Sequence, residues 1–441
     1  MSENWSELIG GEFVSPGAEY RGLPFWSWNG KLEPEKLRRQ IRSFHEMGFG
    51  GFFMHSRVGL ETPYLGKEWF ECIRASIDEA EKRNMLACLY DEDRWASGAA
   101  GGFVTCDPAF RAKLLYLNRL DDCSTPPHPG RLGLWALRAA DEAKGRAEAA
   151  RRLDPDRPDP GDGETVYEFY VDEEPRSDWF NTYTYPDLLD PAAVDRFLEV
   201  TYERYFREVG EKFGNSVPAI FTDEPHYWRF GAPADGIPAA PWTGRLPQLW
   251  RERYCEEAAD FLPDLFFDIP ERPGFRARYR YFRLVSELFT DAFSRRVGAW
   301  CERHGIALTG HLLWEDTPYS QTRCCGAAMR HYEHMQIPGI DQLTEYVQLY
   351  DACKQLSSAA RQCGRRWRIS EVYGCTGWDM TFAGYKAMAD WQYALGVNVR
   401  CLHLSFYTMA GEAKRDYPAT FSLHSTFAGT VRYLEDYFAR V

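Results

Sequence analysis

The sequence lacks the signals that would place the protein in or across a membrane. No apolar run approaches the ~20 residues that a membrane-spanning helix needs. The N-terminal stretch MSENWSELIGGEF has neither the basic segment nor the apolar segment of a secretory signal peptide. These absences predict a cytoplasmic protein with no membrane partner.

Clustered positive charge and paired cysteines are also scarce. The formal net charge is −13, which argues against nucleic acid as a partner, because nucleic acid requires clustered Lys and Arg. The 12 cysteines are scattered and form no CxxC motif. This distribution fits neither a disulfide framework nor a zinc ribbon, so reduced thiols are expected.

The two common phosphate-binding loops are missing as well. Neither GxGxxG nor GxxxxGK[ST] occurs anywhere in the chain. An open doubly wound sheet would favour such a glycine-rich loop after its first strand. The sequence therefore argues against that fold and predicts no organic cofactor.

Aromatic residues, in contrast, are abundant. They make up 15% of the chain, with 15 Trp and 25 Tyr. Trp and Tyr combine flat apolar faces with polar edges, which suits the binding of sugar rings as well as protein interfaces. The aromatic content exceeds what a core alone requires and favours a carbohydrate ligand.

A strand–helix pattern repeats along the 441 residues. Short apolar segments alternate with segments whose apolar residues recur with the helical period of 3.6. The predicted strands lie at residues 22–30, 48–57, 84–95, 217–228, 305–315, 337–346, 366–374 and 397–408. Strands that each lead into a helix predict a closed parallel (β/α)8 barrel, formed by residues 1–441 as a single domain.

Two insertions interrupt the pattern. Residues 110–180 contain three strand-like segments and predict a small β subdomain after the third barrel strand. Within it, the Arg/Ala/Asp/Pro/Gly stretch 141–163 is expected to be exposed and mobile. Residues 229–275 predict an inserted loop and helix segment after the fourth barrel strand.

Polar and aromatic residues concentrate where the predicted strands end, and in this fold the active site forms at that end. Strand six, for example, ends in Asp341 and Glu345. The residues predicted to bind substrate are Trp26, Trp28, His55, Arg57, Asp91, Asp93, Arg94, Trp95, Asp223, His311, Glu315, Glu345, Trp378 and His403. Together they predict an acidic cleft of the size of a sugar.

Two glutamates are the candidates for catalysis. Acetal hydrolysis requires a proton donor and a second carboxylate that attacks the anomeric carbon or activates water. Glu224, in FTDEP, is the predicted donor, because burial and the neighbouring Asp223 would raise its pKa. Glu371, in RISEVYG, follows strand seven across the barrel mouth. An ion pair of Glu371 with Arg57 or Arg94 is the structural alternative.

Metal-dependent hydrolysis has less support in the sequence. A metal-dependent barrel amidohydrolase would carry an HxH pair at the end of strand one, where the sequence reads PFWSWNG. Oxygen ligands for Ca2+ are offered by Asp91, Asp93, Asp223, Glu315 and Glu345, although without EF-hand spacing. The sequence therefore leaves a calcium site open.

Several of these segments resemble the catalytic barrel of glycoside hydrolase family 106, the α-L-rhamnosidases and their relatives. They are PFWSWNG, GFFMHSRVGLETPYLG, YDEDRWASGAAGG, IFTDEPHY and TGHLLWE, and the resemblance runs from about residue 20 to 430. It implies hydrolysis of an α-L-rhamnoside with inversion, a calcium ion in the site, and catalytic glutamates at Glu224 and Glu371.

Two other interpretations stay open. The TDEP motif also resembles the Asn-Glu-Pro motif of retaining clan A barrels such as β-galactosidases, with Asp223 in place of Asn. Glu371 would then be a nucleophile. A barrel that binds glycans without cleaving them is the third interpretation, although the presence of both Glu224 and Glu371 favours an enzyme. The oligomeric state is not predicted.

Overall fold

The computed structural model describes residues 10–122, 125–227, 238–270, 272, 274–345 and 350–441. Parts of the predicted insertion 229–275, and the predicted end of strand six at residue 346, lie outside these ranges. Among the helices of the described ranges, none combines the length and apolar character that crossing a membrane requires.

Within the described residues, eight parallel strands close into a barrel, which confirms the predicted fold. The strands follow one another around the barrel in chain order, and the last pairs with the first. With all strands numbered along the chain, they are β1 (Leu23–Trp28), β2 (Gly51–Ser56), β3 (Leu86–Tyr90), β8 (Ala219–Thr222), β10 (Ala307–Gly310), β11 (Ile337–Gln342), β12 (Ile369–Val372) and β13 (Val399–Phe406).

Helices follow the barrel strands, and α1 shows why they form. Pro34 occupies its first turn, where the missing N–H costs nothing, and Leu37, Ile41 and Phe44 form a buried stripe. The helices are α1 (Pro34–Glu46), α2 (Lys67–Glu81), α3 (Pro191–Phe197), α4 (Glu203–Val209), α5 (Leu246–Tyr254), α6 (Leu262–Phe266), α7 (Gly274–Phe289), α8 (Arg295–His304), α9 (Pro318–Cys324), α10 (Ala328–Tyr332), α11 (Tyr350–Gln362), α12 (Phe382–Leu395) and α13 (Val431–Phe438). A π-helical turn links α3 to α4 and another links α7 to α8.

Side chains alternate between the two faces of each barrel strand. In β1, Phe25 packs against the aromatic rings of Phe53, Tyr90 and Phe221, with ring centroids 4.7 to 5.9 Å apart. These rings fill the barrel interior, so the barrel is a packed core and not a pore. Only its open end is left for a ligand.

Trp26 and Trp28 face the other way, which corrects the prediction that they bind substrate. The indole Nε1 of Trp26 donates a hydrogen bond of 2.8 Å to Gln40 in α1. The Trp28 ring packs edge-on against Trp69 in α2, at a centroid distance of 4.9 Å. Because Phe25 points inward, the two-residue period of a strand places both tryptophans between the barrel and its helices.

In the part of the chain that the structure describes, five further strands form a second, antiparallel sheet. They are β4 (Lys113–Leu120), β5 (Arg131–Arg138), β6 (Ala149–Arg152), β7 (Glu164–Glu173) and β9 (Ala239–Trp242), in the order β6-β5-β7-β4-β9. Strand β9 belongs to the second insertion, so the two insertions share one sheet. Strand β6 lies inside the stretch 141–163, which was expected to be mobile. Its sequence AARR has no apolar alternation, and backbone pairing with β5 alone defines it.

A buried ion pair fixes the last helix to the barrel. Arg400 in β13 donates hydrogen bonds of 3.0 and 2.7 Å to the carboxylate of Glu435 in α13. The backbone N–H of Gly22, next to β1, donates to the same carboxylate at 3.0 Å. The two side chains are only 2% and 1% exposed. One carboxylate therefore links both strands at the closing edge of the barrel to the C-terminal helix.

We predict that Glu435→Gln lowers the free energy of unfolding by about 3–5 kcal/mol, because it leaves the Arg400 charge buried without a counter-charge. Urea denaturation followed by circular dichroism measures the change. Arg330→Gln is the matched control. It breaks an ion pair with Glu333 whose side chains are 60% and 34% exposed, and it should cost less than about 1 kcal/mol. Equal losses in the two variants would contradict the prediction.

Candidate active site

A pocket of about 240 Å³ opens at the carboxyl ends of the barrel strands. We call it the mouth pocket. It is lined by Arg57, Trp95, Asp223, Glu224, Leu313, Trp314, Asp341, Leu343, Glu371, Cys375, His403 and Tyr417. This is the end of the barrel at which enzymes of this fold carry their active sites. Both predicted catalytic glutamates line it.

Unusual backbone conformations accumulate around the mouth pocket. Among its described lining residues, Glu224, Trp314, Cys375 and Tyr417 have φ angles of 49°, 54°, 64° and 47°. This left-handed region is unfavourable for residues that carry a Cβ atom, and such residues tend to cluster at functional sites. Glu224 adopts this conformation two residues after the end of β8, and its carbonyl oxygen lies 2.9 Å from Nδ1 of His226.

A buried chain of polar contacts forms one wall of the mouth pocket. The Nε2 atom of His311 lies 2.7 Å from an oxygen of Glu371 and 3.5 Å from an oxygen of Asp223. The hydroxyl of Tyr90 donates a hydrogen bond of 2.6 Å to the other oxygen of Asp223. These contacts join strands β3, β8, β10 and β12. Glu371 therefore pairs with His311. The structural alternative had expected a pair with Arg57 or Arg94.

Burial and neighbouring charges shift the pKa values of His311 and Glu371 in this wall. Burial opposes a charged His311, but the hydrogen bond and negative charge of Glu371 outweigh it, so the pKa of His311 lies well above its ordinary value. Burial raises the pKa of Glu371. At neutral pH these shifts favour a protonated His311 next to Glu371.

Asp341 is a pocket residue that was not included among the predicted substrate-binding residues. It pairs in register with Glu371 across β11 and β12, so both carboxylates point to the same side. None of the described residues donates a hydrogen bond to its buried Oδ1 atom. Burial, and then the charge of Glu371, raise its pKa well above the ordinary value. An unpaired buried oxygen of this kind fits a ligand hydroxyl.

Arg57 organises the opposite wall. Its Nη1 donates to Nε2 of His55 at 3.0 Å, and its Nη2 lies 3.4 Å from Nε2 of His403. Two further bonds, of 2.6 and 2.9 Å, reach the carboxylate of Asp416 in the loop after β13. Burial, and then the Arg57 charge, hold the pKa of both histidines well below the ordinary value. Both are therefore neutral acceptors.

The loop after β3 presents Trp95 to the mouth pocket. The buried carboxylate of Glu92 accepts backbone hydrogen bonds of 2.6 to 3.0 Å from Asp93, Gly98, Ala100 and Gly101. The Arg57 guanidinium then stacks on the Trp95 ring, 4.0 Å from its centre. Strand β3 thus contributes to the mouth pocket through Trp95, which lies in the loop that follows the strand.

Several predicted site residues lie outside the mouth pocket. Asp91 points away from it, because Tyr90 points inward, and it accepts from Ser97 and Tyr202 at 2.6 and 2.7 Å. Asp93 accepts from Ser56 and Asn181, and Arg94 donates to Asn181. These three side chains serve loop structure, which corrects their assignment to substrate binding.

The predictions that Glu315 and Glu345 bind substrate are corrected in the same way. Glu315 is buried and accepts from the Tyr332 hydroxyl at 2.6 Å and from the Asp341 backbone at 2.8 Å. Glu345 is exposed beyond the end of β11. Trp378 is 40% exposed and does not line the mouth pocket. Asp341, and not Glu345, is the acidic residue that β11 contributes.

The predicted residues that the structure does bring together are Arg57, Trp95, Asp223, Glu224, Glu371 and His403, with His55 and His311 directly behind them. Trp314 and Tyr417 line the pocket without having been predicted. Trp314 stands inside the HLLWE motif, which offered a signal. Tyr417 lies in a loop without any local pattern.

The ligands expected for calcium do not converge. Asp91, Asp93, Glu315 and Glu345 lie apart from the mouth pocket, and only Asp223 lines it. Among the described residues, the group with metal-ligand spacing is Asp223, His311 and Glu371, whose donor atoms lie within 4.8 Å of one another. It includes an imidazole nitrogen that already contacts Glu371, unlike the all-oxygen set that Ca2+ prefers. We therefore derive no chemical step through calcium.

A protein of known structure shares the fold over nearly the whole length of this chain. A rhamnosidase from Novosphingobium sp. PP1Y superimposes with a TM-score of 0.70 at 15% identity, over 98% of this chain and 60% of that protein. A β-amylase catalytic domain from Paenibacillus polymyxa gives a TM-score of 0.48 at 8% identity, covering 94% of this chain and 98% of that one. An endo-β-1,4-mannanase from Thermotoga petrophila gives 0.46 at 10% identity, covering 96% and 77%.

These similarities concern the fold. The chain spans 60% of the length of the rhamnosidase. No protein-family model and no curated protein sequence matches the chain.

We predict that His311 remains protonated at pH 7.5 because of its contact with Glu371. The 15N chemical shifts of the imidazole, assigned with a His311→Gln variant, report the charge. In Glu371→Gln the negative charge next to the imidazole is lost, burial should outweigh the remaining charges of Asp341 and Asp223, and the imidazole should be neutral. Since the folded pKa lies above the unfolded one, the contact adds stability below pH ~6.5 that is lost as the pH rises through the folded pKa. A neutral His311 in the wild type at pH 7.5 would contradict this.

Proposed function

We propose that the protein is a glycoside hydrolase with Glu224 as general acid and Glu371 as general base. The observation that carries this proposal is the mouth pocket itself. Two glutamates from strands β8 and β12, on different sides of the barrel, line one small cavity together with aromatic side chains. Paired carboxylates around a sugar-sized cavity are the requirement of acetal hydrolysis.

The surroundings of Glu371 suit the role of a base. Glu224 would protonate the leaving oxygen as the glycosidic bond breaks. Glu371 would take a proton from the attacking water, whose oxygen bonds to the anomeric carbon. A raised pKa makes Glu371 a stronger base, and His311 orients its carboxylate through the 2.7 Å contact. Asp341 would accept a hydrogen bond from a sugar hydroxyl.

An α-L-rhamnoside is the substrate that we infer. The long motifs that resemble glycoside hydrolase family 106 support this choice. The lining of the mouth pocket adds a physical argument, because Leu313 and Leu343 provide an apolar surface among charged groups. Rhamnose carries a methyl group where common hexoses carry a hydroxymethyl group, and such a surface favours the methyl group.

We predict that Glu224→Gln strongly slows hydrolysis of glycosides with poor leaving groups, because proton donation is lost. General acid catalysis contributes about 10²–10⁴-fold, so kcat/KM should fall by that factor for alkyl glycosides. The loss should be much smaller for dinitrophenyl glycosides, which need little protonation. Glu199→Gln, on the exposed surface of the π turn after α3, is the control and should retain activity. Equal losses across leaving groups would remove Glu224 from this role.

The stereochemical outcome separates the inverting from the retaining interpretation. A retaining pair of carboxylates is ~5–5.5 Å apart and an inverting pair ~6.5–9.5 Å. Asp223 where clan A barrels keep Asn, and the family 106-like motifs, favour inversion. We therefore predict that proton NMR shows the first-formed sugar with the anomeric configuration opposite to that of the substrate. A first product with retained configuration, or a trapped covalent bond between the sugar and Glu371, would make Glu371 a nucleophile.

A further inference from the structure

Glu224 lies in a turn whose backbone is bound by residues from other parts of the chain. Its φ angle of 49° is in the left-handed region. For a residue with a Cβ atom this conformation is unfavourable and persists only where the surrounding contacts fix it. The contacts come from the loop after β3 and from the segment before α3.

Ser97, in the loop after β3, binds the residue that precedes Glu224. Its backbone N–H donates a hydrogen bond of 2.8 Å to the carbonyl oxygen of Asp223. Its Oγ atom accepts a hydrogen bond of 2.7 Å from the backbone N–H of Asp223. Ser97 is fully buried, so bulk water does not compete for these contacts. Both backbone polar groups of Asp223 are therefore bound to one serine.

Asp91 fixes the orientation of the Ser97 hydroxyl. The Ser97 Oγ atom donates a hydrogen bond of 2.6 Å to one oxygen of Asp91, and the other oxygen accepts a hydrogen bond of 2.7 Å from Tyr202. A hydroxyl group has one hydrogen and two lone pairs. Because the hydrogen points to Asp91, a lone pair is left to accept from the N–H of Asp223.

Tyr185 binds the other side of the turn. Its hydroxyl donates a hydrogen bond of 2.7 Å to the carbonyl oxygen of Ser97. The same hydroxyl accepts a hydrogen bond of 3.3 Å from the backbone N–H of His226, two residues after Glu224. The Tyr185 ring stacks on the His226 imidazole, with ring centres 4.4 Å apart and planes 7° apart. Ser97 and Tyr185 thus bind the backbone on both sides of Glu224.

We propose that Ser97 and Tyr185 are positioning residues that hold Glu224 in the orientation of a general acid. This rests on the proposed hydrolase function. Neither is among the described residues that line the mouth pocket, so both act through the backbone of the turn. A general acid transfers its proton only within hydrogen-bond reach of the leaving oxygen, and a displacement of ~1 Å can lower the rate about 10²-fold. Loosening the turn should therefore impair proton donation most.

The first test removes the Ser97 hydroxyl and varies the leaving group. Ser97→Ala leaves the N–H of Asp223 without its buried acceptor. We expect kcat/KM to fall about tenfold for methyl α-L-rhamnoside, whose leaving oxygen needs a proton. For dinitrophenyl α-L-rhamnoside, which needs little protonation, the change should be less than about twofold. Each variant is compared with the wild type on the same substrate, so differences in intrinsic reactivity cancel.

Ser357→Ala is the matched control. Ser357 in α11 is also buried, and its hydroxyl donates a hydrogen bond of 2.6 Å to the carbonyl oxygen of Leu395. Leu395 ends α12 just before β13 begins, so this contact lies at the opposite end of the barrel from the mouth pocket. The control should leave both rates unchanged. An equal loss on both substrates in Ser97→Ala, or no loss on either, would overturn the proposal.

Tyr185→Phe tests the contact on the other side of the turn. It removes only the hydroxyl and keeps the ring that stacks on His226, so it decides the question even if Ser97→Ala does not fold. Hydrolysis of the methyl glycoside should again slow, while hydrolysis of the dinitrophenyl glycoside should change little. Equal rates for Tyr185→Phe and the wild type on both substrates, or an equal loss on both, would count against the proposal.

A second test does not depend on catalysis. In a crystal structure of the variant that combines Ser97→Ala and Tyr185→Phe, Glu224 should leave the left-handed region and adopt a negative φ angle. A φ angle still near 49° would overturn the proposal. If φ changes in this way but the wild type cleaves no glycoside, the hydrolase function fails while the two residues still hold the turn. Cleavage by the wild type with φ unchanged in the variant gives the opposite result.

Discussion

Closure of the barrel forces several buried carboxyl groups to share one small pocket, and the rest of the site depends on this constraint. The parallel strands deliver Asp223, Glu224, Asp341 and Glu371 to the same end. Burial weakens the screening of their mutual repulsion, so protons and cations must offset it. His311 is placed to do this, because its Nε2 atom lies 2.7 Å from an oxygen of Glu371. The arrangement thus holds a base of raised proton affinity close to an unpaired acceptor, Asp341.

On the opposite wall of the mouth pocket, Arg57 supplies the positive charge. Its charge is matched by Asp416, a residue in the loop after β13, and its face covers Trp95. A single guanidinium therefore connects strand β2, the loop after β3 and the loop after β13. This connection positions Trp95 and Tyr417 in the lining of the mouth pocket. One wall of the mouth pocket therefore depends on a buried cation and its partners.

The conformation of the site lowers the stability of the folded protein, and contacts elsewhere in the barrel compensate for this loss. Left-handed backbone at Glu224, Trp314, Cys375 and Tyr417 opposes folding, and so does an oxygen on Asp341 that has no hydrogen-bond partner among the described residues. Stability comes from elsewhere, from the aromatic rings inside the barrel and the buried contact between Arg400 and Glu435. Such local conflicts at a site within an otherwise consistent fold are typical of functional residues.

The sequence by itself determined the barrel and the place of its two glutamates. Strand and helix periods are local properties, and in a closed parallel barrel every strand must end at the same mouth, so Glu224 and Glu371 could be predicted to face one pocket. The same period already shows that Trp26 and Trp28 point away from Phe25. Only the tertiary structure decided which charges became partners. His311 with Glu371, Asp416 with Arg57, and β9 with β4 are contacts between segments far apart in the chain, set by barrel closure and loop packing, and no local pattern encodes them.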